Sequence, residues 1–383
     1  MNGFPRGRTA IVGAATFGMG EAPGYQAIDI AAYAAVEALR SAGMTPADVD
    51  ALFLCLPDDH LAGLTMAQYL GIQPRITDNN RTGGSAFQTH AIWAALALDA
   101  GLCDVALITY GSTQRSAAGR LQTVAGADPF EAPYKPRLPT AAYALAAARH
   151  MHDYGTTPEQ LAEVAVAARL WAKRNPDAFM RDDLSIEDVL GARRVADPLG
   201  IRDCCLVTDG AAAIVMTRAD RAKDHAATPI HLLGGAAATT HYHISSMPDL
   251  TVTAARESGA RAFAQAGLAP RDVDVLQLYD SFTINPILFL EDLGFCPKGE
   301  GGRFVSDGRI RPGGDLALNT NGGGLSCCHP GMYGLFEMVE AFVQLTGQAG
   351  ARQIADARVA LTHASGGFLS SQATLVLGHP DTV

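Results

Sequence analysis

"GMTPADVDALFL" (43–54) and "GLAPRDVDVLQL" (267–278) match at Gly, Pro, Asp, Val, Asp, Leu and Leu in one register. Each follows a helix-like stretch, Ala31–Ala42 or Thr253–Ala266, and each leads into an apolar strand. A second echo pairs "DVALITYGS" (104–112) with "RVALTHASG" (358–366), again a strand running into a Gly/Ser turn. Two matches in the same chain order point to a duplicated α/β unit rather than one chance helix–turn–strand similarity.

Outward from these echoes, the other elements fall into place. Strands are expected at 8–13, 51–56, 104–110 and 210–217, and again at 229–237, 274–279, 358–363 and 373–378. Helices are expected near 26–42, 60–70 and 85–100, then near 250–266, 284–294 and 331–346. Strands alternating with helices imply mixed or parallel sheets covered by helices. The halves divide at 225/226, as 1–225 and 226–383, and the first carries an insertion over about 113–205. That insertion is helix-rich and basic, with Arg115, Arg120, Lys135, Arg137, Arg149, Arg169, Lys173, Arg174, Arg181, Arg193 and Arg194. Thr157 before Pro158 and Gln160 is a helix-start signature. In a chain of net charge −10 such a cap is a candidate phosphate-binding face, although a solvated helix surface would look the same.

The negative balance excludes a general nucleic-acid or anionic-membrane surface. No apolar run is long enough to span a bilayer, and the start "MNGFPRGRTAIVGAA" has no cleavable leader pattern, so a cytoplasmic protein is expected. Seven cysteines, an odd number without CxxC pairs or zinc spacing, argue for reduced thiols and no bound metal. "IVGAATFGMG" (11–20) lacks the GxGxxG spacing of a nicotinamide site, and "GLSCC" (324–328) falls short of a hydrolase GxSxG.

The densest motif is "NTNGGGLSCCHPGMYG" (319–334). With "DPLGIRDCCLVTDGAAAIVM" (197–216), "LYDSFTINPILFLEDLGFCPKGEGGRFV" (278–305) and "SSQATLVLG" (370–378), it resembles the thiolase superfamily. The similarity extends over essentially the whole chain and is nearest to the sterol-carrier-protein-type thiolases and their relatives. The resemblance implies a five-layer αβαβα fold, usually dimeric, acting on coenzyme A thioesters where the halves meet. The family's usual parts are a nucleophilic cysteine at a helix start, a G-H-P histidine, an N-E-A-F turn and a second cysteine in a C-x-G turn. His329 stands at the histidine position. "TDNNRTGGSAFQTHAIWAA" (77–95) places Asn80 or a neighbour where the nucleophile belongs, "YDSF" (279–282) replaces N-E-A-F, and Ala364 in "THASGGF" (362–368) replaces the second cysteine. Both family cysteines are missing.

A carboxamide cannot replace a thiol, because acyl transfer needs a nucleophile activated by a base or a helix start. Cys327 and Cys328, next to His329, are the candidate relocated thiols, and buried inert cysteines are the competing reading. His329 retains the ability to stabilise a thioester enolate together with N–H groups from the turns at Gly83, Gly84, Gly323 and Gly366; one such donor is typically worth about 10²–10³ in rate. Enolate stabilisation without a nucleophile suits aldol-type carbon–carbon cleavage. The steroid side-chain aldolases look similar, with tyrosines moving protons and a small OB-fold/zinc-ribbon partner subunit helping to hold the acyl-CoA. Tyr333 is expected on the same helix face as His329, as a proton shuttle or a packing residue. Tyr279 and Asp280 are candidates to orient water or act as base, and His363 is expected to face the site if the duplication holds. Coenzyme A is expected as part of the substrate, with no tightly bound cofactor. Three readings stay open: a cysteine-independent lyase, a thiolase using Cys327 or Cys328, and a non-catalytic acyl-CoA-binding subunit.

Overall fold

The computed structural model describes residues 3–117 and 128–383 and contains the duplication as two five-stranded sheets of identical topology, joined through one edge into a continuous run of ten strands. The first half supplies β1 (Thr9–Gly20), β2 (Ala51–Cys55), β3 (Ile76–Asp78), β4 (Val105–Ser112) and β5 (Asp209–Arg218). The second supplies β6 (Ile230–Thr239), β7 (Val275–Leu278), β8 (Ala317–Leu318), β9 (Val359–Gly366) and β10 (Ser371–Gly378). Spatial order is β3-β2-β4-β5-β1 in one sheet and β8-β7-β9-β10-β6 in the other. In both, the first three strands of that order run parallel, and the last two join antiparallel. A short antiparallel pairing, Ala10 with His231 and Ile11 with Ile230, stitches the sheets edge to edge. The glycine-bearing 11–20 stretch lies wholly within β1, so it forms no phosphate loop.

Helices fill the space between the sheets and cover their outer faces. α1 (Ala27–Ser41) and α2 (Ala62–Leu70) cover the first sheet. α3 (Ala86–Asp99) packs against strands of both sheets, and later helices repeat the pattern. Within the insertion lie α4 (Thr140–Tyr154) and α5 (Pro158–Ala172), whose Thr157 hydroxyl accepts the Gln160 N–H as the motif predicts. In the second half, α6 (Ala255–Ala266) covers the outer face, α7 (Ile284–Asp292) follows β7, and α8 (Gly334–Leu345) lies against α3 between the sheets. The result is the αβαβα layering of the thiolase fold.

The two halves share one device that the echoes do not contain. A Cβ at Gly13 of β1 would lie 2.3 Å from the Ala38 carbonyl of α1, and one at Gly234 of β6 would lie 2.2 Å from the Ala262 carbonyl of α6. Each sheet thus lets its outer helix sit directly on backbone, which the alanine-rich faces of α1 and α6 complete. α8 begins at Gly334, three residues later than expected, because residues 330–333 stay irregular and Tyr333 serves as N-cap. Its buried face includes Leu335, Phe336, Met338 and Leu345, each worth about 1.5–3 kcal/mol when fully withdrawn from water. The insertion is fastened to the second half through His150 of α4, whose Nε2 lies 3.0 Å from Glu291 of α7; Lys298 meets Glu291 at 3.0 Å and Asp292 at 2.7 Å.

Candidate active site

A cavity of about 1070 Å³ opens where the two halves and the insertion meet. His329 lies on its wall, after a π-helical turn over Gly323–Cys327. That turn needs glycine twice: Gly322 has φ 105° and Gly323 has φ 64°. A Cβ at Gly323 would meet Asp280 Oδ2 at 2.0 Å, so the carboxylate lies flat on the turn and accepts the Gly324 N–H at 2.6 Å. Asp280 is fully buried and does not reach the cavity, and burial raises its pKa to about 6. It braces the loop that carries His329.

The main-chain N–H of His329 donates to Thr208 Oγ1 at 3.0 Å, which fixes the residue from the other side. Its Nε2 lies 3.0 Å from the Tyr279 hydroxyl, with the two rings edge to face at 5.6 Å. Burial depresses the imidazole pKa to about 4, so at neutral pH the ring is uncharged and can accept as well as donate. Burial also pushes the Tyr279 phenol far up, so it holds its proton. Both side chains line the cavity, forming a neutral pair with a proton between them.

Tyr333 is also brought close, though not by helix periodicity. Its ring stacks on His329 at 6.4 Å and 20°, behind the imidazole, and its hydroxyl donates to Asn321 Oδ1 at 2.8 Å. It is fully buried and does not line the cavity, which places it among the packing residues. His363 is likewise turned away from the cavity. It sits inside the second sheet with Nδ1 2.8 Å from Thr374 and Nε2 3.0 Å from Gln372, and burial lowers its pKa to about 3. The second-turn position is therefore not a second imidazole at the site.

The relocated-thiol candidates lie behind the wall. Cys327 and Cys328 are buried and do not line the cavity; Cys327 Sγ takes a 3.6 Å contact from Asn175, and burial raises Cys328 well above an ordinary thiol. The thiols on the cavity wall are Cys204 and Cys205. Burial raises Cys204 to about 12 and Cys205 far above its ordinary value, so neither is a thiolate at neutral pH.

Asn80 is not on the wall either. Its N–H donates to His90 Nε2 at 3.2 Å, and its side-chain carbonyl accepts the Thr82 N–H at 3.0 Å. The residues of this turn that face the cavity are Arg81, Thr82, Gly83 and Gly84. Gly83 has φ +90°, and a Cβ there would lie 2.7 Å from Gly366 Cα; a Cβ at Gly366 would lie 1.7 Å from the Thr82 carbonyl. A Cβ at Gly84 would meet the Tyr279 ring at 2.0 Å. Two side-chain-free turns therefore close on each other beside the Tyr279–His329 pair. Ala364 is buried, its methyl directed at Gly334.

Several cavity residues escaped sequence reasoning. Tyr143 of α4 stacks on Phe282 at 4.2 Å and donates to the Gly367 carbonyl at 3.1 Å. Its signal was the helical period of the insertion, which could not say which sheet loop the helix would meet. Arg193, among the insertion's basic residues, lines the cavity together with Arg202. Arg169 lines it too but is paired with Asp182, while Arg149 and Lys173 are occupied away from it with Asp153 and Asp183. Arg120 lies outside the described residues.

The fold agrees with what comparison with known proteins shows. Residues 236–379 match the family model described as "Thiolase C-terminal domain-like". The chain is 34% identical to the acetyl-CoA acetyltransferase of Methanothermobacter thermautotrophicus, over 94% of this chain and 96% of that protein. It is 34% identical to the 17-hydroxy-3-oxo-4-pregnene-20-carboxyl-CoA lyase of Mycobacterium tuberculosis, over 89% of this chain and 92% of the lyase. Among solved structures, the Ltp2-ChsH2(DUF35) aldolase superposes with a TM-score of 0.88 at 30% identity, covering 97% of this chain and 98% of the other.

Proposed function

This chain belongs to the thiolase superfamily, and from that premise we propose that it cleaves or forms a carbon–carbon bond next to an acyl-CoA thioester by an aldol-type route, without a covalent acyl-enzyme. The observation that carries the proposal is the Tyr279–His329 pair, 3.0 Å apart on a cavity wall where no reactive thiol stands. In the cleavage direction, the pair takes the hydroxyl proton of a β-hydroxyacyl thioester. The bond between the α and β carbons breaks, a carbonyl compound leaves, and the electron pair becomes the thioester enolate. N–H groups of the Gly83–Gly84 and Gly366 turns and the pair itself stabilise the charge on the thioester oxygen, and a proton returns to the α carbon. The names of the lyase and aldolase relatives support this reading, and the raised thiols of Cys204 and Cys205 favour it over acyl transfer.

Coenzyme A enters as part of the substrate, with Arg193 and Arg202 of the insertion as the groups for its phosphates; among the described residues neither forms an ion pair. No tightly bound cofactor is required by these steps. A homodimeric core and a small OB-fold/zinc-ribbon partner subunit complete the proposal, the second supported by a solved relative whose name joins two components. The test is incubation of the chain, alone and with a candidate partner, with a β-hydroxyacyl-CoA. The expected products are a shortened acyl-CoA and a carbonyl compound, with the intact protein mass unchanged throughout turnover. An acylated cysteine trapped during turnover, or full activity in His329→Ala, overturns it.

A further inference from the structure

The cavity wall carries a further arginine outside the insertion, one that the proposed coenzyme A site does not use. Arg81 lines the wall contributed by the first half, opposite in origin to Arg193 and Arg202 of the insertion. Its guanidinium is held by main-chain carbonyls of the β2–α2 connection: Nη1 donates to Leu56 at 3.2 Å and Asp59 at 3.0 Å, and Nη2 donates to Pro57 at 2.7 Å. Among the described residues no carboxylate pairs with it; Asp59 turns its side chain to the Leu61 N–H, and Asp78 faces His90. A guanidinium has five N–H donors, and three are accounted for. The cage therefore fixes the plane of the group and satisfies part of it, and among the described residues no carboxylate neutralises it beside the cavity. That is the arrangement of a carboxylate reader: a preorganised fork with donors to spare.

Arg81 is three residues before Gly84, whose Cα packs on the Tyr279 ring, so chain length alone keeps its Cα within about 11 Å of that glycine. Arg81 thus stands on the same cavity wall as the reacting pair and close to it along the chain, on a segment separate from the one that carries Arg193 and Arg202. Resting on the reading that the insertion takes the coenzyme A phosphates, we propose that Arg81 binds a carboxylate carried on the acyl portion of the substrate, and that the substrates are acyl-CoA thioesters with an acidic group beyond the reacting carbons.

The test measures binding of unreactive ligands, so that it does not depend on the carbon–carbon chemistry. Saturated ω-carboxyacyl-CoA esters and their ω-carboxamide counterparts are titrated calorimetrically into the wild-type chain, Arg81→Gln and Arg81→Lys. The expected result is a wild-type preference for the acid on the order of 10- to 100-fold, the worth of a hydrogen bond to a charged partner. This preference should collapse toward parity in Arg81→Gln and be partly kept in Arg81→Lys. A wild-type ratio near one, or a preference that survives Arg81→Gln, overturns the proposal. If Arg81→Gln fails to fold once its carbonyl cage is empty, the wild-type ratio and Arg81→Lys still decide. Failure of carbon–carbon cleavage with both ligand types binding as described would overturn the proposed reaction and leave the Arg81 assignment standing.

Discussion

Replacing Tyr279 by Phe removes one oxygen and leaves the ring that packs on Gly84, which makes it the cleanest probe of the proposed chemistry. The hydroxyl lies 3.0 Å from His329 Nε2. If it moves the reacting proton or steadies the thioester oxygen, its loss should cost what one preorganised donor is worth, about 10²–10³ in kcat, or about 2.7–4 kcal/mol. The structural penalty should be far smaller. His329 is left with an unpaired ring nitrogen, but at 8% exposure on a cavity wall water can reach it, so about 1 kcal/mol of stability is at stake. The variant should therefore melt within a few degrees of wild type and bind an unreactive acyl-CoA with little change. Release of the carbonyl product, followed by carbonyl derivatisation and by chromatography of the shortened acyl-CoA, should fall at least 100-fold. A fall of less than about fivefold with normal folding would refute the role of the pair, because a donor at the reacting oxygen cannot be worth so little.

Two further outcomes follow from the same packing. His363→Leu strips Thr374 and Gln372 of their partner inside the second sheet, so stability should drop by about 1–3 kcal/mol in urea unfolding, while kcat of the folded fraction stays near wild type; a selective loss of kcat would return His363 to the site. His90, His329 and His363 are held near pKa 3, 4 and 3 against an ordinary 6.5, so the unfolded chain binds more protons than the folded one below 6.5, and stability is lost as pH falls from there toward 4 at up to about 1.4 kcal/mol per pH unit for each ring. Asp280, raised to about 6, opposes this between roughly pH 4 and 6, and the buried Glu337 opposes it from about 4.5 upward, so the net loss should be slight near pH 6.5 and steepen toward pH 5 as the unfolded imidazoles fill with protons; an unchanged urea midpoint between pH 7 and 5 would contradict the burial of these rings.

The duplicated fold was legible because its signal is repeated chemistry: a Gly-x-x-Pro turn and an apolar strand recur in order, and strand topology follows from that order. His329 was legible for a similar reason, since a glycine run ending in His-Pro allows few backbone paths. What the sequence hid were distances across elements far apart in the chain. Tyr279 reaches His329 over 50 residues and Tyr143 reaches Gly367 over 224, neither pair marked by any local spacing. The same gap explains why Asp280, Tyr333 and His363 stood as candidates. Residue type made each a plausible proton carrier, but the direction of each side chain is set by a partner elsewhere, Gly324, Asn321 and Thr374 respectively. Adjacency misled for Cys327 and Cys328 too, because a π-helical turn swings neighbours of a wall residue behind the wall.

The backbone beside the Tyr279–His329 pair also excludes side chains. In the turn where a thiol would be needed, the cavity-facing positions nearest the second turn are Gly83 and Gly84. Gly83 has φ +90° and room for a Cβ only at 2.7 Å from Gly366 Cα, while the Tyr279 ring fills the space beside Gly84 to within 2.0 Å of where a Cβ would stand. Non-glycine residues are strained at that φ, and contacts under 3 Å to backbone cannot be relieved by a rotamer change. A sulfur therefore cannot be placed at Gly83 or Gly84 by one substitution. The Tyr279 ring fills the space beside Gly84 and brings its hydroxyl to His329. The close packing of the glycine turn on Tyr279 and the placing of the phenol against His329 are thus one arrangement, which fits a pocket proposed to hold an enolate and move a proton rather than to carry an acyl group.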